Sequence, residues 1–316
     1  MALFCTDTFL AGYRDRIVEI APDLDVIALR PGEEVSAADI ERITVAFFSD
    51  DAWPERAAPF FKVALDATNI EWFHSMSAGV DSPVFSMFLD RGARLTTSSG
   101  ASAPPIAATA MLYLLALSRD LPRWLRAQAA HEWSPASFRD LDGQRLVVVG
   151  YGPIGQEVVR LARAFAMDPT ILRRSARGDE PCPVRPLEEL TEAVRKADAV
   201  VVALPLTDDT RGIVSAQVIA AMPSTAVFVN VGRGELVDQR ALTEALASGR
   251  LAGAGLDVSD PEPLPPDDPL WDLPNVIISP HTSGASDGTT ARVAEIFLDN
   301  LGRFVSGEPL RNEVTR

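Results

Sequence analysis

Short apolar runs along the chain alternate with longer stretches in which apolar residues return every three or four positions. The runs include "RITVAFFS" (42–49), "IEWFHSMS" (70–77), "RLVVVGYG" (145–152), "ADAVVVALP" (197–205), "TAVFVNVG" (225–232) and "VIISPHTS" (276–283). Runs this short, apolar on both faces and separated by helical periods, predict strands of parallel sheets covered by helices on each side. Further strands are expected near 24–29 and at "PTILRR" (169–174). The stretch from Pro104 to Leu117 reads as one long buried helix entered through a Pro-Pro pair. "TTARVAEIFLDNLGRFVSG" (289–307) reads as an amphipathic helix with Val293, Ile296, Phe297, Leu301 and Phe304 on one face.

The fold class that follows is α/β, with two parallel-sheet domains. A glycine motif near the middle of the chain leaves the first hundred residues to a separate unit, and the last helix is expected to return to it. The expected division is 1–100 with 286–316 as one domain, and 101–285 inserted as the other.

Composition changes this picture little. The 316 residues carry a net charge of −15, which argues against nucleic acid or an anionic membrane as a partner. The longest apolar stretch is too short to span a bilayer, and the N-terminal segment lacks a basic leader, so a cytoplasmic location is expected. Cys5 and Cys182 fit no metal or redox spacing, and no metal site is expected.

Candidate chemistry begins at the glycines. Gly150, Gly152 and Gly155 follow an apolar run and open a helix at Pro153 and Ile154. The first would allow a tight turn, the second would let backbone approach a pyrophosphate, and the third would let helix and strand pack closely. After the next strand come Arg173, Arg174 and Ser175, where a site for NAD commonly has an acid. Two guanidiniums there suit the 2′-phosphate of NADP, so NADP is the expected cofactor and NAD the lesser one. Arg233 lies between glycines at the end of a strand, where it can hold a carboxylate. Glu262 sits between two prolines. His281 follows a proline at a strand end and has the chemistry to pass one proton near neutrality.

With these residues in order, the chain resembles the D-isomer-specific 2-hydroxyacid dehydrogenases. The motifs that carry the resemblance are "SMSAGVDS" (75–82), "GYGPIG", "LPLTDDT" (204–210), "NVGRGELVD", "LDVSDPEPLPPDDPLW" and "NVIISPH". The resemblance implies that His281 is the acid/base, Glu262 its partner and Arg233 the residue that orients a 2-oxo acid. With hydride from NADPH, His281 would protonate the carbonyl oxygen, and reduction would slow as pH rises. Backbone amides of Ala78, Gly79 and Val80 would bind the substrate carboxylate, with Trp53 and Met76 in the pocket wall. Asp257 would hold the nicotinamide carboxamide. Leu204, Pro205, Thr210, Val231 and Gly232 would line the cofactor.

The implied substrate is glyoxylate, hydroxypyruvate or a larger 2-oxo acid. A homodimer is implied too, with 121–138, including Trp124 and Trp133, as an exchanged arm. The sequence departs from the family at Ser259, where an aromatic is usual, and at Ala108, where Glu is common. The two lysines, Lys62 and Lys196, lack the Tyr that a short-chain dehydrogenase places three residues earlier. A rival from another class is a dinucleotide-sensing corepressor on the same fold, which turnover would exclude.

Overall fold

The computed structural model describes residues 1–80 and 82–314, so Asp81 of the "SMSAGVDS" motif and the last two residues lie outside the description. The chain divides into two units, 1–102 with 286–316, and 103–285. In the first unit the elements are β1 (Ala2–Thr6), α1 (Asp7–Ile20), β2 (Asp25–Leu29), α2 (Ala37–Ile40), β3 (Ile43–Phe48), α3 (Ala57–Asp66), β4 (Trp72–Ser75), α4 (Pro83–Asp90) and β5 (Arg94–Thr97). The strands form a five-stranded sheet in the order β2-β1-β3-β4-β5, parallel at every pairing.

Strand β1, which lies between β2 and β3, is not among the expected runs. All five of its residues are buried, as a strand covered on both faces requires. Helix α1 starts where the Thr6 hydroxyl accepts from the N–H of Phe9, a side-chain cap that fixes the exit from the strand.

The second unit runs α5 (Ala103–Ser118), α6 (Leu121–Ala129), β6 (Arg145–Val149), α7 (Pro153–Ala164), β7 (Asp168–Leu172), β8 (Val184–Arg185), α8 (Leu190–Val194), β9 (Ala199–Val202), α9 (Ala216–Ala221), β10 (Val227–Asn230), α10 (Gln239–Ala247), β11 (Gly253–Leu256) and β12 (Val276–Ile278). Its sheet has seven strands in the order β12-β11-β10-β9-β6-β7-β8, again all parallel. The chain winds outward in both directions from the β6/β9 boundary. Such a switch point opens a crevice at the carboxyl ends of the strands, where ligands of open α/β sheets bind. The helix expected at 104–117 is α5, which lies wholly in this unit and packs on α7, β10 and β11.

The last helix, α11 (Asp287–Val305), belongs to the first unit. Its Phe297 ring stacks on Phe47 at 4.2 Å between centroids and on Trp72 at 5.4 Å. Val293, Phe297 and Leu301 are fully buried there with Leu3, Val45 and Trp72. Three positions of its expected apolar face therefore close the core of this unit.

Candidate active site

The glycine turn joins β6 to α7 at the switch point. Gly150 has φ +104°, which favours glycine, and a Cβ there would fall 2.7 Å from the carbonyl oxygen of Ala203. At Gly155 a Cβ would lie 2.1 Å from the oxygen of Gly150, so this glycine seats α7 on the turn. At Gly152, the residue capping α7, a Cβ would meet nothing within 4 Å. Backbone is thus bare and open where the helix presents its unpaired N–H groups, with Pro153 in the first turn. That cradle fits the pyrophosphate of a dinucleotide. Ile154 packs into the core under the turn.

Arg173 and Arg174 follow β7 and differ in surroundings. The Arg173 guanidinium donates to Glu180 at 2.6 Å and lies over the Tyr151 ring at 5.8 Å. Glu180 also accepts from the N–H groups of Arg177 and Gly178. These backbone donors, with help from Arg173, bring its carboxyl down to about 2. Arg173 is therefore engaged in shaping the loop. Arg174 is 71% exposed and meets the exposed Asp209 at 3.4 Å. Ser175 is exposed beside it.

Along the same edge, Thr210 ties the turn after β9, donating to the Pro205 carbonyl at 2.8 Å and accepting from the N–H of Thr207. Leu204 is half-buried and Pro205 exposed. After β10, Val231 is buried and the N–H of Gly232 donates to the Asn230 side chain. The same Asn230 amide donates to the Arg233 carbonyl at 2.8 Å, which fixes the turn that carries the guanidinium. Arg233 is half-buried and donates to the carbonyl of Gly232. A Cβ on Gly234 would sit 1.9 Å from the carbonyl oxygen of Ser259, so only glycine lets the Arg233 turn lie against the Glu262 loop.

The histidine and the glutamate meet. His281 Nδ1 lies 2.8 Å from Glu262 Oε2, and Glu262 Oε1 accepts from the N–H of Ser259. Held at both oxygens, the carboxylate faces one edge of the imidazole and leaves Nε2 on the other. The pair is about half exposed, 48% for His281 and 37% for Glu262. It borders a recess of about 430 Å³, walled also by Leu264, Trp271 and Ile278. His281 has φ +50°, a left-handed backbone that costs a non-glycine residue energy and must be held by its neighbours.

Asp257 does that holding. Its carboxylate is 2% exposed and accepts from the Ser279 hydroxyl, the N–H groups of Thr282 and Ser283, and the Ser283 hydroxyl. Its carbonyl accepts from the N–H of His281 at 2.8 Å. Four donors fill the sites of a carboxylate. A carboxamide would have to displace one of them.

The substrate residues expected in the first unit lie on two loops. Ala78, Gly79 and Val80 follow β4, and the Ser77 hydroxyl donates to the Gly79 carbonyl at 2.8 Å, giving the loop a tight turn. Met76 is anchored by its N–H on Phe48 and packs into the core. Trp53 is 60% exposed, so it does not cap the core of its own unit. Sequence reasoning singled out none of Tyr113, Trp271 or Glu180. Trp271 lay within a quoted motif, but Tyr113 and Glu180 carry no local signal. Among the described residues no cluster of acidic, His or Cys side chains could hold a metal, and no helix is long and apolar enough to cross a membrane.

Residues 111–283 match the model of the D-isomer specific 2-hydroxyacid dehydrogenase NAD-binding domain. The chain is 34% identical over 266 residues to a mouse (Mus musculus) glyoxylate reductase/hydroxypyruvate reductase, covering 80% of each. It is 30% identical to a D-3-phosphoglycerate dehydrogenase of Methanocaldococcus jannaschii, matching 95% of this chain but 53% of that longer one. Among solved structures, an NADPH-dependent glyoxylate/hydroxypyruvate reductase of Sinorhizobium meliloti in complex with NADP and sulfate superposes with a TM-score of 0.80 at 26% identity, over 99% of this chain and 97% of that one. The matched model spans more than half of the sequence and takes in the glycine turn, Arg233, Glu262 and His281: the chain belongs to the D-isomer-specific 2-hydroxyacid dehydrogenase family.

Proposed function

We propose that the protein reduces a 2-oxo acid to the D-2-hydroxy acid with NADPH, the substrate being glyoxylate, hydroxypyruvate or a larger homologue. The observation that carries this reading is the Nδ1–Oε2 contact of 2.8 Å between His281 and Glu262, beside the Arg233 turn. The names of the mouse and Sinorhizobium relatives support the substrate class.

Bound on the glycine turn, the dinucleotide supplies the hydride. Glu262 accepts from Nδ1–H, so His281 protonated on both nitrogens can pass its Nε2 proton to the substrate's carbonyl oxygen and is left as the Nδ1–H tautomer. Arg233 orients the carboxylate and stabilises charge on that oxygen. The amides of Ala78, Gly79 and Val80 and the side chains of Trp53 and Met76 belong to the same proposal as substrate contacts. Leu204, Pro205, Thr210, Val231 and Gly232 belong to it as cofactor contacts. Asp257 is assigned here to the His281 turn in place of the carboxamide, because its carboxylate is filled by its own chain.

For the 2′-phosphate we assign Arg174 with Ser175, and give Arg173 the task of bracing the loop through Glu180. A homodimer is part of the proposal too: α6 buries none of its residues, and Trp133 in the following segment is 97% exposed. The test is initial rates on glyoxylate, hydroxypyruvate and phenylpyruvate with NADPH and with NADH, beside Arg174→Ala. The wild type should prefer NADPH, and the variant should lose about tenfold in NADPH affinity while NADH is unaffected. A preference for NADH would sink the phosphate assignment alone. Nucleotide binding with no turnover on the whole panel would sink the enzyme.

A further inference from the structure

The structure links the His281 turn to helix α5 by a half-buried chain of hydroxyls. Tyr113 lies on the face of α5 that packs against β11, and it is 2% exposed. Its ring occupies the space above Gly255, where a Cβ would fall 2.3 Å from Tyr113 Cγ. Only a glycine in β11 lets the Tyr113 side chain come this close to the strand. That hydroxyl reaches Ser279, one residue beyond β12, at 2.5 Å. Ser279 in turn donates to Asp257 Oδ1 at 2.5 Å.

The direction of the chain follows from hydrogen counting. Ser279 has one hydroxyl hydrogen, and a carboxylate that only accepts takes it. Tyr113 must then be the donor to Ser279 Oγ. Burial first, and the charge of Asp257 besides, push the Tyr113 phenol upward against the pull of its bond to Ser279, so it keeps the proton it donates. The chain ends at a residue with left-handed backbone. The N–H of His281, a residue with φ +50°, donates to the carbonyls of Asp257 and Ser279, the two residues that Tyr113 secures.

We propose that the Tyr113 hydroxyl is a positioning group for His281: through Ser279 and Asp257 it holds the strained turn so that the imidazole stays against Glu262. Tyr113 touches neither substrate nor cofactor in this role. The inference rests on the reading of His281 as the proton donor, and its test separates the two.

The variant is Tyr113→Phe, which keeps the ring on Gly255 and removes only the hydroxyl, with Ser279→Ala as a second lesion in the same chain. The protein has three histidines, so their ring nitrogens can be told apart by 15N NMR at a pH where the rings are neutral. His74, held by Thr96 and Ser98, serves as an internal reference. In the wild type His281 should show one tautomer, protonated at Nδ1; in Tyr113→Phe it should show a mixture. The kcat for 2-oxo acid reduction should fall about ten- to a hundredfold, as for a displaced reacting group, with KM and NADPH affinity nearly unchanged. Adding Ser279→Ala should cost nothing further, because both lesions break one chain.

Coincident His281 signals in wild type and Tyr113→Phe would overturn the proposal whatever happens to kcat, and so would additive losses in the double variant. A wild type without turnover, whose His281 tautomer still shifts in the variant, would uphold the positioning and overturn the dehydrogenase reading.

Discussion

Two histidines in this chain stand at the ends of parallel strands and have opposite surroundings. His74, in β4, is fully buried, with Nδ1 2.6 Å from the Thr96 hydroxyl and Nε2 3.0 Å from that of Ser98. Phe47, Trp72 and Phe297 pack around it. Among the described residues no carboxylate bonds to its ring, and burial pushes its pKa down from 6.5 to about 3. His281, past β12, keeps about half its side chain in solvent and has Glu262 on Nδ1. A ring closed in by hydroxyls and aromatics is a neutral part of the core. One with a carboxylate behind and an open nitrogen in front can cycle a proton. The residue type offered both roles, and the partners chose between them.

The sharpest way to break this comparison is to exchange activity for stability. His281→Ala should lower kcat/KM for 2-oxo acid reduction by about a hundred- to ten-thousandfold at unchanged melting temperature, whereas His74→Gln should melt earlier and keep its turnover. Steady-state kinetics beside thermal melts would check both. Equal losses of activity would end the distinction.

A smaller effect is expected behind the active histidine. Glu262→Gln leaves a hydrogen-bonding group at the same place but removes the charge that favours Nδ1–H, and kcat should fall about ten- to a hundredfold. A larger drop than in His281→Ala would show that the carboxylate acts on its own account.

The smallest effect belongs to the buried ring and is read from pH. The folded-state pKa of His74 lies below its ordinary value, so between 6.5 and about 3 the unfolded chain takes up a proton that the folded one refuses. The stability this confers is complete above the upper limit and is lost as pH falls across the window, by up to about 1.4 kcal/mol per pH unit. Urea unfolding at pH 7 and pH 5 should show a steeper loss for wild type than for His74→Gln. Identical slopes would mean that His74 binds its proton in the folded state after all.

What the sequence disclosed depended on how local each cause was. The glycine turn was legible because Gly155 answers to Gly150 only five residues earlier, between β6 and α7, although Gly150 itself is crowded by the distant Ala203. Parallel strands were legible where apolar residues run on without a break, as in "AVVV" of β9; β1 is as buried and was not found. Strand β11 was not, since "GAGL" reads as a loop; its glycines answer to Tyr113 and Leu117 on a distant helix. The Arg173–Arg174 pair looked like two equal donors because Glu180, which takes one of them, acts through a turn that no spacing announces. Arg233, Glu262 and His281 lie in separate motifs that the family resemblance tied together, with Glu262 as the partner of His281; the fold brings those two into contact and shows Asp257 carrying the turn beneath them.

The placement of α11 bears on how the molecule is made. The rings of Phe47 and Trp72 are finished by Phe297, a residue encoded after the whole of the second unit. During synthesis the first unit therefore leaves the ribosome with its aromatic core open and stays incomplete while 103–285 are being added. The second unit is continuous in sequence and needs nothing from downstream to close its own sheet. The part of the chain that is translated first is the part that can be completed last.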